Sequence, residues 1–279
     1  MSEDKVSIVC QGCGVKFETY RLRCLGVERY ISDTCPECRA RKREELEERE
    51  KERIEAEIIE RKSSWRISSG IPQRFRDERF ETFKKNSDNL KKSHSLCLEY
   101  AENFPLARNE EYKSLGIFSK GIWGNGKSHL ACSIAHRIID RWLGGGENSP
   151  VLYTTEPHMF SRIRATFNRN YDSNSETEDA VYHHFINVPL LIVDDIGKEE
   201  VADPRFVQRV WFSVVNGRYD NMLPVVITAN LDPDGIEQHL GGSRGNEATF
   251  DRLYEMLGGV FWEMTGPSYR RLKHELSDR

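Results

Sequence analysis

The spacing of apolar and polar positions changes character along the chain. From Arg39 to Lys62 the sequence RARKREELEEREKERIEAEIIERK is almost wholly charged, with nine Lys or Arg against nine Glu. These residues favour helix, and pairs such as Glu45–Arg49 and Glu57–Arg61 stand four apart. Leu46, Ile54, Ile58 and Ile59 are too few for a continuous heptad seam. The stretch therefore predicts a solvated helical strut between two domains, with a partner-binding coiled coil as the alternative. Gly70 and Pro72 in SSGIPQRF then break the helix. A helical pattern covers Leu90–Phe104, and beyond it apolar residues come in short bursts. LGIFSK (115–120), VLYTT (151–155), PLLIVDD (189–195) and PVVITANL (224–231) predict buried strands. Amphipathic stretches of helix length lie among them at His129–Leu143, Met159–Phe167 and Phe206–Tyr219. Strands alternating with helices predict an α/β fold with a parallel sheet covered on both faces. The polar run NRNYDSNSETED (168–179) predicts a loop, and no internal repeat is visible.

Composition narrows the classes. The 279 residues suit about two domains. With 38% hydrophobic and 31% charged residues, and a mean hydropathy of −0.65, part of the chain is expected to stand in water. No run approaches ~20 apolar residues, so no membrane partner is expected. The start, MSEDKVSIVCQGC, lacks the basic and apolar segments of a secretory signal. A net charge of −4 and a pI near 6.1 argue against coating nucleic acid by bulk charge, although a local basic surface is compatible with them. The expected location is cytoplasmic, where seven cysteines favour metal binding or free thiols over disulfides.

Two constellations carry chemistry. Residues Gly121-Ile122-Trp123-Gly124-Asn125-Gly126-Lys127-Ser128 read G-x-x-x-x-G-K-S between a predicted strand and a predicted helix. Glycines let successive backbone N–H groups turn toward phosphates, and the helix that starts near Lys127 adds free N–H groups and a positive dipole end. Lys127 supplies a point charge for the β- and γ-phosphates, and the Ser128 hydroxyl is a candidate Mg²⁺ ligand. His129 follows directly. In Leu190–Asp195, four apolar residues precede two acids, which are costly after a buried run unless they meet a cation. Asp194 is the candidate second Mg²⁺ ligand, through water. Asp195 is placed to orient or deprotonate an attacking water. Asn230 ends the next strand, where it could reach the γ-phosphate or that water, or form an Asx-turn. Arg252 and Arg270 suit the charge of a phosphoryl-transfer transition state, but spacing alone fits ordinary surface arginines equally.

The second constellation is Cys10-x2-Cys13-x21-Cys35-x2-Cys38. Two C-x-x-C hooks can wrap four thiolates around one tetrahedral Zn²⁺. All eight histidines lie at position 94 or later, so a local site must be all-cysteine. A module of about 40 residues buries too little to fold alone, so metal is expected to supply its folding energy. Cys24 is the spare thiol.

The ordered set GNGKSHLACSIA, VLYTTEPHMFSRIRATF, VPLLIVDDIG, NGRYDNMLPVVITANL, FDRLYEM and GPSYR resembles the AAA+ ATPases of the DnaC/DnaI type, loaders of the replicative DNA helicase, with IstB as a close relative. The resemblance runs from about Ser68 to Arg271, and IPQRF…RFETF is similar to the family's lead-in. It implies an AAA+ P-loop core without a full lid domain, preceded by a four-cysteine zinc ribbon (1–38) and a charged helical linker (39–67), the ATPase domain occupying 68–279. By the same resemblance Lys127 and Ser128 match Walker A, Asp194 and Asp195 match Walker B, and Asn230 matches sensor 1. Arg252 falls at the arginine finger, acting on ATP in the next subunit, and Arg270 at the sensor 2-like position. Asp195 departs from the Glu common in AAA+ enzymes. The carboxylate then stands about 1.5 Å further from the water, which implies slow hydrolysis. Trp123 is a further departure. The segment Ile71–Phe83 is the candidate for the base pocket.

The resemblance also implies single-stranded DNA binding after the second strand, here by Arg162, Arg164, Phe167 and Arg169. Interleaved charges and a ring suit phosphates and bases, but solvated arginines on an amphipathic helix fit the pattern too. The expected function is that of an ATP-dependent loader. It would dock a hexameric replicative helicase through the zinc module and strut, self-associate through ATP interfaces, and grip single-stranded DNA. An IstB-like transposition helper on duplex DNA, and a non-hydrolysing nucleotide-binding adaptor, are the alternatives.

Overall fold

The computed structural model describes residues 3–24, 27–106, 112–167, 176–197, 203–241 and 247–269, and the chain divides into two units, 1–60 and 61–279. In the first, strands β1 (Glu3–Val9), β2 (Lys16–Cys24) and β3 (Val27–Tyr30) form an antiparallel sheet in that order. The hydrophobic pattern does not announce these strands because the unit hardly has an apolar core. Its buried cluster is Cys10, Cys35 and Cys38 with Phe17 packed against it. Helix α1 (Pro36–Ser68) follows. It is longer than the charged stretch predicts, with Leu46, Ile54, Ile58 and Ile59 exposed and Arg41–Glu45 and Arg43–Glu47 paired along it. Its last turns belong to the second unit. There Trp65 is buried and donates its indole N–H to the Glu147 carbonyl, and Arg66 pairs with Asp140.

The second unit is built on five parallel strands, β4 (Leu115–Phe118), β5 (Val151–Thr155), β6 (Leu190–Ile196), β7 (Val225–Ala229) and β8 (Phe261–Glu263), in the order β5-β6-β7-β4-β8. Helices α2 (Asp88–Asn103), α3 (Lys127–Arg141), α4 (Glu156–Ala165), α5 (Glu178–Asn187), α6 (Pro204–Asp220), α7 (Pro233–Gly241) and α8 (Glu247–Met256) surround it. Alternate strand residues enter two cores. Leu190 and Ile192 join α2 and α3 on one face, whereas Leu191 and Val193 join α4, α5 and α6 on the other. A strand buried on both faces must be apolar at every position, hence the continuous run at 190–193. Helix starts follow local capping chemistry: Ser87, Thr177 and Asp203 accept backbone N–H groups of α2, α5 and α6, and Pro204 occupies the first turn of α6.

The sequence pattern leaves out α5, α7, α8 and β8. Three of these are nine- or ten-residue helices and the last a three-residue strand, each too short for a clear period. The expected loop 168–179 is shortened from its C-terminal side, because Thr177 caps α5; residues 168–175, Arg169 among them, lie outside the described residues. Among the described residues, no helix is long and apolar enough to cross a membrane.

Candidate functional site

The C-terminal ends of β4, β6 and β7 bring the phosphate loop, the paired acids and Asn230 together. Between β4 and α3 the loop has positive φ at Gly121, Gly124 and Gly126. At Gly126 (φ 105°) a Cβ would lie 2.6 Å from the Phe83 ring, so both the backbone and the wall behind it require glycine. Lys127 is buried at the start of α3. Its ammonium donates to Asn230 Oδ1 at 2.8 Å, to the Ile122 carbonyl at 3.2 Å, to Asn125 Oδ1 at 3.3 Å and to Ser119 Oγ. The Asn230 amide after β7 and the loop cation therefore meet.

Asp194 is wholly buried at the end of β6. Tyr153 of β5 donates its hydroxyl to Oδ2 at 2.6 Å and Thr228 of β7 donates to Oδ1, while the Ser128 hydroxyl also favours the charged form of the acid. Burial and the neighbouring Asp195 charge push the Asp194 carboxyl above the usual aspartate range, and the three hydroxyls pull against them. The acid stays available to a cation because its acceptors are organised by neutral donors.

Asp195 sits in a bulge of β6, where the pairing with β7 shifts between Val193 and Ile196. Its φ is +59°, its N–H donates to Thr228 Oγ1 at 3.0 Å, and its Oδ1 accepts from Asn230 Nδ2 at 3.4 Å. Asp adopts the left-handed region more readily than Glu. The shorter acid thus suits the turn that aims it.

These groups border a cavity of about 350 Å³. Lys127, Ser128, Asp195 and Asn230 line it. Phe75, Glu78, Thr82, Phe83 and Leu90 line it too, with Pro267 and Tyr269. The segment singled out for the base pocket contributes four of these, and Ile71, in the same segment, is buried in the core. His129 clamps that segment onto α3, its ring nitrogens lying 2.8 Å from the Arg79 carbonyl and 3.0 Å from Glu78. Tyr269 closes the cavity from the C-terminal side, its N–H donating to the Gly124 carbonyl at 2.9 Å, and Asn125 reaches the Met264 carbonyl at 2.8 Å. Trp123 also lines it, with 60% of its surface exposed. Polar groups suited to phosphates, beside the apolar side chains of Phe75, Phe83, Leu90 and Pro267, match a nucleotide.

Arg252 stands on α8, outside the lining, with its guanidinium 5.7 Å from the Phe212 ring and 5.9 Å from that of Tyr219. Arg270 lies outside the described residues. Of the candidate DNA contacts, Arg164 is exposed over Phe206 and Phe167 is exposed against the same ring. Arg162 pairs with Glu176 and lies 3.1 Å from His184 Nδ1, so a phosphate would compete with an ion pair. Sequence reasoning gave no site role to Tyr153, Thr228, Leu90, Pro267 or Tyr269; all but Leu90 lie in stretches that carry the resemblance, but spacing assigns them nothing and each reaches the site through the fold.

In the first unit the sulfurs of Cys10, Cys13, Cys35 and Cys38 lie within 4.8 Å of one another, with Cys13 and Cys35 3.7 Å apart. Ligands about 2.3 Å from a tetrahedral zinc would stand about 3.8 Å apart, so the donor set fits. Backbone N–H groups of Cys35 and Gly12 point at Cys10 Sγ, 3.1 and 3.3 Å away, and pull that thiol down to about 6. Cys38, crowded by the sulfurs of Cys13, Cys35 and Cys10, is pushed up to about 12. Four crowded thiols share negative charge poorly without a cation. The Cys24 side chain lies outside the described residues.

Comparison with known proteins gives a consistent family. The model of the "IstB-like ATP binding protein" family matches residues 115–277. A replicative helicase loader DnaC of Buchnera aphidicola is 32% identical over 207 residues, spanning 74% of each chain. That of Escherichia coli is 25% identical over 194 residues, spanning 70% of this chain and 69% of its own. Among solved structures, the DnaC helicase loader aligns with a TM-score of 0.54 at 20% identity, covering 70% of this chain and all of that one. DnaI aligns with a TM-score of 0.50 at 20% identity, covering 69% of this chain and 93% of that one. These two likenesses identify the AAA+ fold of the second unit.

Proposed function

We propose that this chain, which belongs to the IstB-like ATP-binding family, is an ATP-hydrolysing loader of the replicative DNA helicase. The observation that carries this reading is the convergence of Lys127, Ser128, Asp195 and Asn230 on a nucleotide-sized cavity, with the buried Asp194 next to Asp195 in the same strand. In this reading Lys127 holds the β- and γ-phosphates, and the free N–H groups of the 121–128 loop surround them. Ser128 and Asp194 would hold a magnesium ion, which when bound supplies charge neutralisation between the phosphates. Asp195 orients the attacking water and accepts its proton, while Asn230 fixes the Asp195 carboxylate and the lysine together. Arg252, outside its own cavity, serves the nucleotide of a neighbouring copy. Arg270 takes the sensor 2-like role.

The four-cysteine cluster would hold zinc, and residues 1–38 with the charged helix 39–67 form the helicase-docking arm ahead of the ATPase domain. Arg164 and Phe167, with Arg162 and Arg169, form the single-stranded DNA contact. The cytoplasm is the expected location. Support for a helicase partner comes from the curated relatives, whose names are those of replicative helicase loaders. The name of the family model favours a second reading, a transposition helper acting on duplex DNA.

Pull-downs with a hexameric helicase and with a transposase, under ATP and under ADP, separate the two. The loader reading expects helicase capture that is lost on deleting residues 1–60. Capture of the transposase alone refutes it. Lys127→Ala is expected to abolish ATP binding with the fold retained, and normal ATP binding by that variant removes the centre of the proposal.

A further inference from the structure

The second unit buries a carboxylate that the proposed reaction does not use. Glu156, the first residue of α4, is wholly buried and accepts three N–H groups from three other segments. The Trp211 indole of α6 donates to Oε1 at 2.6 Å, and His239 Nε2 of α7 lies 2.7 Å from the same oxygen. The backbone N–H of Gly197 donates to Oε2 at 2.8 Å. A carboxylate in the interior is costly even when satisfied, and apolar residues of similar volume usually serve packing as well or better. Its presence points to a task that only a fixed anionic acceptor performs.

The third contact identifies the task. Gly197 lies two residues past Asp195, and both have left-handed backbone, φ +76° and +59°. At Gly197 a Cβ would stand 2.2 Å from Leu231 Cδ1, so the turn runs hard against the segment that follows Asn230. Thr228 holds the entry to this turn through the Asp195 N–H, and Glu156 holds its exit through the Gly197 N–H. The Trp211 and His239 contacts fix the carboxylate itself between α6 and α7. Freed at its exit, the turn could relax toward extended backbone and swing Asp195 away from Asn230.

We infer that Glu156 is a positioning residue for ATP hydrolysis, a buried latch that keeps the 195–197 turn in the geometry that aims Asp195. The inference rests on the reading of Asp195 as the acid that orients the attacking water.

An amide of the same shape tests it. In Glu156→Gln the single oxygen cannot serve both sides. If it faces Gly197, the NH2 group meets the Trp211 N–H; if it faces Trp211, the NH2 group meets the Gly197 N–H. Adding Trp211→Phe removes one of the opposed donors and lets the glutamine oxygen turn to Gly197, its NH2 group facing a His239 lone pair. Glu156→Gln is expected to lower kcat about tenfold or more, with affinity for a fluorescent ATP analogue within about twofold of the parent. Amide exchange at Gly197 is expected to quicken. Glu156→Gln with Trp211→Phe is expected to recover both the turnover of Trp211→Phe alone and the slow exchange. Wild-type turnover by Glu156→Gln, or a double variant no better than the single one, overturns the latch. A parent protein that binds ATP without turning it over refutes the ATPase reading itself, before any variant is made, and the positioning role with it.

Discussion

Tyr153→Phe removes one oxygen at the base of the site and should act through Asp194. The hydroxyl lies 2.6 Å from Asp194 Oδ2, and both residues are buried, Tyr153 at 2% exposure and Asp194 at 0%. Bulk water therefore cannot replace the lost donor, and phenylalanine fills the remaining volume. A hydrogen bond to a charged group contributes about 1.5–3 kcal/mol, and this one favours the ionised form. The Asp194 carboxyl is already held above the ordinary aspartate range by burial and by the Asp195 charge. Removing the hydroxyl leaves only the Thr228 and Ser128 hydroxyls to oppose that rise.

The sign follows directly. In the proposed reading Asp194 holds magnesium only when ionised, so turnover should fall as pH drops through the raised value. In Tyr153→Phe this acid limb should move to higher pH, by about one pH unit for each ~1.4 kcal/mol lost. The magnesium concentration for half-maximal turnover should rise most near the limb. Thermal stability should be lower at neutral pH, where the unsupported charge is buried in full. That deficit should close on acidification as the carboxyl protonates in both states. The assays are a pH profile of ATP turnover, a magnesium titration at two pH values and thermal unfolding across the same range. An acid limb that stays in place, with no neutral-pH stability deficit, would refute the assignment of Tyr153 as a support of the metal-holding acid.

Three further outcomes follow from the same geometry. Asp195→Asn keeps the side-chain volume and suits the left-handed turn. It should bind ATP within about threefold of the parent and lose about a hundredfold or more of turnover in a single-turnover assay, whereas retained turnover would exclude Asp195 as the base. Chelation of zinc should release one metal equivalent and unfold the first unit, read by thiol reactivity of Cys10, Cys13, Cys35 and Cys38, while the melting transition of the second unit stays in place. Arg218→Lys should lower the melting temperature through a loss of about 3 kcal/mol or more. The guanidinium is wholly buried and spans the carbonyls of Phe185 at 2.8 Å, Val188 at 3.0 Å, Pro189 at 3.3 Å and Pro224, a spread that one ammonium cannot cover. A shift under about 2 °C would show those carbonyls satisfied by other means.

Local chemistry made part of this protein legible from residue order alone. The run 190–193 announces a strand covered on both faces because every position must be apolar. The glycines and Lys127 announce a phosphate loop because few other residues can turn backbone amides inward. The spacing Cys10–Cys13 and Cys35–Cys38 announces a tetrahedral donor set, since each hook fixes its own two sulfurs. Other features required the sheet to form. Tyr153 reaches Asp194 because β5 lies beside β6, and Thr228 bridges the two acids because β7 lies on the other side. Tyr269 and Phe83, 186 positions apart in the chain, close one cavity. Glu156 reads as an ordinary acid in the first turn of a helix until α6, α7 and the turn after β6 surround it. Periodicity and motif spacing report only what neighbours in sequence can do for one another. The pairing order of strands, and therefore which distant side chains share a buried space, is set by how two apolar faces are covered at once.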